Sequence, residues 1–226
     1  MIPSCYAFGE CLRSVFAGAP DSTTRRVGKQ SSLYVSGTRD DKMYFITTGQ
    51  VKVIMLSPGG KECLLDIYTV DDYFGESCLS QNLRSETAIA MSNAVVKEMT
   101  GAKFLALLTE RGLVGDFVRQ LAARVVEQQQ IITNLVTIDC EYRLGEVLLR
   151  LARKLGACDA LGLSQKISHQ ELSQMVGTTR PRVSEFMQRF RDRGLIGATP
   201  DSRILVRVLR LQEYLETRSI EPRLAS

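Results

Sequence analysis

A single histidine, His169, occurs in 226 residues, which leaves almost the whole chain without the commonest general base and metal ligand. The cysteines stand alone too: positions 5, 11, 63, 78, 140 and 158 contain no CxxC pair and no regular framework. That spacing argues against a zinc ribbon and against structural disulfides, and a reducing compartment would keep all of them as thiols. No apolar run approaches the roughly 20 residues that cross a bilayer. The opening segment MIPSCYAFGECLRS lacks the basic start and long apolar stretch of a signal peptide. The expectation is a cytoplasmic protein with no membrane partner. No glycine-rich phosphate loop, metal-ligand cluster or nucleophile–base pair stands out, so neither catalysis nor a bound metal is expected.

A 44% hydrophobic content is enough for a real core, in one large domain or two modest ones. Charge is uneven along it. Residues 1–139 carry 14 Lys and Arg against 15 Asp and Glu, whereas residues 140–226 carry 15 against 10. Of those 15 C-terminal cations, 13 are arginine, the side chain whose planar fork suits phosphates and guanine edges.

From about residue 15 to 100 the pattern is short, alternating and punctuated by turns. Tyr44, Ile46, Val51, Val53 and Met55 fall on one face, with Ser57-Pro58-Gly59-Gly60 as a hairpin turn. Cys63–Tyr68, Thr87–Met91 and Val95–Met99 are further strands, with Gly37, Gly49 and Gly75 at corners. This predicts an antiparallel β roll of jelly-roll type. Over residues 113–138 the period changes: Phe117, Leu121, Val125, Ile132 and Leu135 recur at three and four, as on one long helix. That stripe suits either packing on the chain's own β domain or a parallel dimer seam, with polar Gln128 setting its register. A helix Arg143–Leu155, ending at Gly156, opens a small α-rich domain, and the tail after Glu216 reads as frayed. The chain thus divides into 1–112, 113–138 and 139–226, an α+β protein.

Ser168-His169-Gln170-Glu171 is a capping box and starts a helix with Leu172, Met175 and Val176 inward. Gly177 supplies a tight turn, Thr179 caps the next helix, and Pro181 sits in its first turn. Val183, Phe186 and Phe190 form the buried stripe of that second helix. Outside stand Arg180, Arg182, Ser184, Glu185 and Arg189, able to meet base edges and phosphates if the helix N-terminus enters a major groove. Thr178 and Thr179 can hold phosphate at the helix start. Ile196–Val208, broken by Thr199-Pro200-Asp201-Ser202, reads as a hairpin wing with Arg203 near its turn. The competing reading is an αα-corner with a solvated arginine face. His169 fits a helix's first turn better than an active site.

KISHQELSQMVGTTRPRVSEFMQRFRDRGLI resembles the DNA-binding segment of the Crp/Fnr regulators, and YFITTGQVKVIMLSPGGKECLLDIYTVDDYFGESCL resembles that family's β roll. The resemblance implies a bacterial homodimer that binds double-stranded DNA at an inverted repeat, has RNA polymerase as a partner, and responds to an effector in the roll. In the members that bind cyclic nucleotides, a cassette running from F-G-E to R-S holds the ligand's phosphate and ribose. Phe74-Gly75-Glu76-Ser77 and Arg84-Ser85 match it here, with Gln128 and Gln129 where the long helix would meet the base. The resemblance therefore implies a cyclic-nucleotide effector at Gly75, Glu76, Ser77, Arg84, Ser85, Gln128 and Gln129. The segment between Glu76 and Arg84 is about two residues shorter than in the best-known cyclic-AMP binder, and glutamines replace its small hydroxyl side chains. A cassette that binds nothing, with Arg84 paired to Glu86 or Asp71, is the alternative and makes the regulator constitutive. A roll that docks a ligand or partner without specific DNA binding is a further one. An iron–sulfur sensor would need more N-terminal thiols than Cys5 and Cys11, and a haem sensor a histidine in the roll.

Overall fold

The computed structural model describes residues 4–20, 22–155, 163 and 166–220. Eight strands build the first half: β1 (Thr23–Val27), β2 (Ser32–Tyr34), β3 (Lys42–Thr48), β4 (Val51–Leu56), β5 (Glu62–Tyr68), β6 (Tyr73–Phe74), β7 (Thr87–Ala90) and β8 (Ala94–Thr100). They pair antiparallel in two four-stranded sheets of order β1-β8-β3-β6 and β2-β7-β4-β5. The period-two pattern of β3 explains the layering. Tyr44 and Ile46 join Val51, Val53, Tyr68 and Phe74 between the sheets, whereas Met43 and Phe45 point the other way, into a second core with the helices. Met55 departs from the expected face. A register shift between Val53 and Ile54 buries Ile54 and turns Met55 outward.

Two flanking helices, α1 (Ser4–Ala17) and α2 (Gly101–Glu110), are not among the elements the sequence pattern predicts. The signal of α1 is weakened by Gly9 in its interior, a poor helix former. A Cβ at Gly9 would lie 2.8 Å from the Asp71 carbonyl oxygen, so the glycine permits close approach of α1 to the roll. One turn later Arg13 forks onto Asp71, with contacts of 2.6–3.0 Å. Phe8, Leu12, Val15 and Phe16 then fill the outer core with Phe104 and Phe117.

The long helix is α3 (Val114–Thr137). Phe117 is buried against its own roll, while Val118, Val125 and Ile132 are more than half exposed. Two compact units meet inside this helix, Met1–Gln128 and Gln129–Ser226.

In the second unit, Asp139 caps α4 (Cys140–Lys154) by accepting the Glu141 and Tyr142 amides at 2.8 and 2.9 Å, so this helix starts three residues before the expected Arg143. Its expected stop at Gly156 lies outside the described residues. α5 (His169–Val176) and α6 (Arg180–Asp192) follow, then the hairpin β9 (Ile196–Ala198) and β10 (Ile204–Val206), and α7 (Val208–Ile220). Residues 217–220, read from sequence as the start of a frayed tail, continue α7. Leu144, Leu148, Leu172, Val183, Phe190 and Leu211 are fully buried in this unit.

Candidate nucleic-acid interface and effector cassette

The capping box forms as expected. Ser168 Oγ accepts the Glu171 amide, and the Glu171 carboxylate accepts the Ser168 amide at 3.0 Å. At the other end of α5, Gly177 takes φ 72°, and the Gly177 and Thr178 amides both donate to the Ser173 carbonyl. A Cβ at Gly177 would stand 3.2 Å from Leu135, so the turn is confined on both counts. α6 begins at once, with Thr179 in extended backbone and Pro181 in the first turn. The Thr179 side chain makes no capping bond, so the first-turn amides of α6 gain no side-chain partner from it.

Burial sorts the expected DNA set. Val183, Phe186, Met187 and Phe190 face inward. Thr179, Arg180, Arg182 and Glu185 are exposed and Thr178 is half-buried. Among the described residues, no carboxylate pairs with Arg180 or Arg182. Ser184 and Arg189 are engaged elsewhere. Ser184 Oγ lies 2.8 Å from His169 Nδ1 and donates to the Arg180 carbonyl at 3.1 Å. With that hydroxyl proton spent, Nδ1 must donate, which fixes the tautomer and joins the first turn of α5 to the middle of α6. Burial holds the His169 imidazole below its ordinary range, with Arg191 and Arg180 adding to the effect.

Arg189 meets Glu141 at 3.1 Å and Glu185 at 3.4 Å. The buried Glu141 carboxylate also takes Arg218 at 3.2 Å, Arg193 at 3.7 Å and the Tyr214 hydroxyl at 2.9 Å. One carboxylate on α4 therefore anchors the C-terminal half of α6 to α7. In the wing, Arg203 pairs with Asp201 at 2.6 Å, and Thr199 Oγ1 accepts the Arg203 amide at 3.0 Å. Ser202 takes φ 63° to close that turn.

In the roll, Gly75 (φ 92°) leads into a 3-10 turn, Glu76–Leu79. A Cβ at Gly75 would be 2.9 Å from the Lys42 carbonyl and 3.2 Å from the Arg84 guanidinium, which explains why the chain needs glycine there. Arg84 is fully buried, and four of its five N–H groups are used. Nη1 donates to the Gly75 carbonyl (2.6 Å) and Ser77 Oγ (2.8 Å); Nη2 donates to the Lys42 carbonyl and to Asp40 Oδ1 (3.2 Å). The Tyr34 ring covers the guanidinium at 4.2 Å. Glu86, buried beside it at 3.8 Å, accepts Ser77 Oγ (2.6 Å), Ser85 Oγ (3.0 Å) and the Tyr34 hydroxyl (3.3 Å). Burial, then Glu86, raises the Tyr34 phenol well above its usual range; burial and the Asp40 hydrogen bond do the same to Tyr44. Burial pushes the Cys78 thiol up to about 11, so it adds no charge. Glu76 meets Arg124 of α3 at 2.5 Å, and Arg124 lies over the Tyr73 ring at 4.2 Å. Gln128, one turn beyond Arg124, and Gln129 are exposed.

Residues 24–111 match the model of the cyclic nucleotide-binding domain and residues 142–214 that of the Crp-like helix-turn-helix domain. The cAMP-activated global transcriptional regulator CRP of Pasteurella multocida is 31% identical over 173 residues, 75% of this chain and 83% of that one. The chain belongs to the Crp/Fnr family. Within that family, the solved regulator TTHB099 of Thermus thermophilus is 27% identical with a TM-score of 0.69, covering 85% of this chain and 96% of that one. FixK2 of Bradyrhizobium japonicum shares the fold at TM-score 0.74 and 18% identity, over 85% and 96% of the two chains. This Crp/Fnr protein is a DNA-binding transcription regulator with an α+β architecture: an antiparallel roll, a long helix and a winged helix-turn-helix. No helix among the described residues is long and apolar enough to cross a membrane.

The cassette of this Crp/Fnr chain does not fit a cyclic phosphodiester as it stands. A phosphate needs N–H donors and net positive charge, but both terminal nitrogens of Arg84 are taken by protein acceptors, only its buried Nε is left without a partner, and the guanidinium faces both Asp40 and Glu86. Glu86 and Asp71 are the two acidic partners expected for Arg84 from the sequence. Glu86 takes that role, while Asp71 is held by Arg13. Asp40 and Arg124 were not legible as site residues. The only available signal was their charge, and their partners lie 44 and 48 positions away.

Proposed function

We propose that the chain works as a homodimer that reads a two-fold DNA site through the N-terminal half of α6 and regulates transcription there, with RNA polymerase as its partner in the bacterial cytoplasm. The observation that carries this is the α5–Gly177–α6 junction, whose capped and confined turn leaves Arg180 and Arg182 outward and, among the described residues, without carboxylate partners. Thr178 and Thr179, at the uncapped start of α6, supply phosphate contacts, Glu185 accepts from a cytosine amino group, and Arg203 in the wing meets the backbone. Ser184 and Arg189 hold the recognition helix in place.

The dimer reading is supported by α3. Val114, Val118, Leu121, Val125, Gln128, Ile132 and Leu135 alternate at spacings of four and three, the pattern of a coiled-coil seam. All but the half-buried Leu121 are exposed in the single chain. Residues 1–112 would then sense, 113–138 dimerise and 139–226 bind DNA.

Selection of bound sequences from a random duplex pool tests the function. The expected product is an inverted repeat with half-sites about one helical turn, roughly 34 Å, apart. Retention of the pool without enrichment of any sequence would refute specific reading and leave only electrostatic binding.

A further inference from the structure

We propose that Glu86 is a built-in anion: its carboxylate stands where an anionic ligand's phosphate would have to bind Arg84, and it makes the roll of this chain refractory to cyclic nucleotides. The arrangement around Glu86 is that of a bound anion in an anion site. It is buried, accepts three hydroxyl protons, from Ser77, Ser85 and Tyr34, and lies against the one fully buried guanidinium of the roll. Those serines are the same cassette hydroxyls that a phosphate would need as donors. Each serine has one proton, and both are given to Glu86.

Charge reinforces occupancy. Asp40 supplies a second carboxylate, held by the Tyr44 hydroxyl at 2.7 Å and the Lys42 amide at 2.8 Å, so Arg84 faces two negative groups before any ligand arrives. A phosphodiester brought to the same guanidinium would meet like charge in a dry site. Like charges placed side by side without water between them repel, which disfavours that arrangement. Burial of Arg84 beneath Tyr34 also closes the face from which a second anion could stack or pair. Glu86 is thus a specificity-determining residue, acting by exclusion.

This inference concerns the roll alone and does not depend on how the chain reads DNA, because ligand binding is measured directly. Titration calorimetry of the full-length protein with cyclic AMP and cyclic GMP should give no binding heat for the wild type up to millimolar ligand. Glu86→Ala, which empties the anion position and returns two hydroxyl donors, should bind with affinity gained about a hundredfold. Adenosine, which lacks the phosphate, should show no such gain. Micromolar binding by the wild type would overturn the proposal, as would a folded Glu86→Ala protein that stays silent. If circular dichroism shows that Glu86→Ala does not fold, Glu86→Gln decides instead. It keeps the volume and one accepting oxygen but removes the charge and frees the hydroxyl facing its amide nitrogen, so a gain of at least about tenfold is expected and silence refutes the idea.

Discussion

At the scale of single residues, α6 carries outward groups at its start and groups engaged with the rest of its unit further on. Arg180 is exposed at the start of α6 and has no carboxylate partner among the described residues. Arg180→Ala should weaken binding to the selected site by about 1–3 kcal/mol and relax the preference at one base pair, as read by competition with mutated sites. A uniform loss across all sequences would make Arg180 a phosphate contact instead. Glu141 is the opposite case. Its carboxylate is only 6% exposed and gathers Arg189, Arg193, Arg218 and Tyr214. Removing it leaves three cations crowded around an empty acceptor. Because those arginines are a third to half exposed, water screens part of the loss, and Glu141→Ala should cost about 2 kcal/mol in urea unfolding rather than the larger values of a dry pair. A change within about 0.5 kcal/mol would mean that the cluster is ornamental. His169 adds a pH dependence. Its folded pKa is held below the unfolded value of about 6.5. The unfolded chain therefore binds the proton first, and the stability from neutral His169 is complete above about 6.5 and lost as pH falls toward the lowered folded value. Wild type should lose more melting temperature than His169→Gln between pH 7.5 and 5.5, about the range that brackets this titration. Equal losses would remove His169 from the account.

At the scale of elements, what was readable in the sequence is what is written locally. The capping box, the Gly177 turn and the stripe of α6 lie within a span of two dozen residues, and each has a signal of its own: a serine with a glutamate three places on, a glycine at positive φ, apolar residues at three and four. The strands were readable for the same reason, except where a single bulge at Val53 and Ile54 turned Met55 outward. What could not be read is what folding brings together from afar: Asp40 onto Arg84, Glu76 onto Arg124, Glu141 onto Arg189. An isolated Asp or Glu in a sequence has the same appearance whether it is solvated or buried. α3 lies between these cases. Its spacing suits two outcomes: Phe117 packs on its own roll, and the apolar stripe beyond it is exposed in the single chain. Ile132, 62% exposed, lies toward the C-terminal end of that stretch. Burial of such a side chain is worth about 1.5–3 kcal/mol, and a dimer buries two copies. Ile132→Glu should therefore shift sedimentation from dimer to monomer, with dissociation strengthened by roughly a thousandfold or more. Gln130→Glu, off the seam by position, should leave the dimer intact. A dimer insensitive to Ile132→Glu would place the interface elsewhere.

At the scale of the whole molecule, charge is segregated in a way that assigns different tasks to the two ends of the chain. Residues 1–139 are close to neutral, while residues 140–226 carry an excess of five cations, almost all arginine. In the first unit, Arg84 of the roll is consumed by Asp40 and Glu86, and the half-buried Arg124 of α3 by Glu76. In the DNA-binding unit, Glu141 neutralises part of the arginine excess and fixes the frame, but Arg180 and Arg182 remain outward. Affinity for DNA should then come from one end only and be strongly electrostatic, because each phosphate contacted releases condensed counterions. If each protomer contacts three phosphates, the dimer makes about six, and the slope of log affinity against log salt should be close to −5. Between 50 and 200 mM salt, binding of the selected site should weaken by about a thousandfold. The sequence-specific part adds hydrogen bonds to base edges, which salt screens less, so the ratio of specific to non-specific affinity should grow as salt rises. Fluorescence anisotropy with matched and scrambled duplexes over that range measures both quantities. A slope shallower than about −2 would mean that the outward arginines do not lie on phosphates, and that the recognition helix meets DNA, if at all, by a different face.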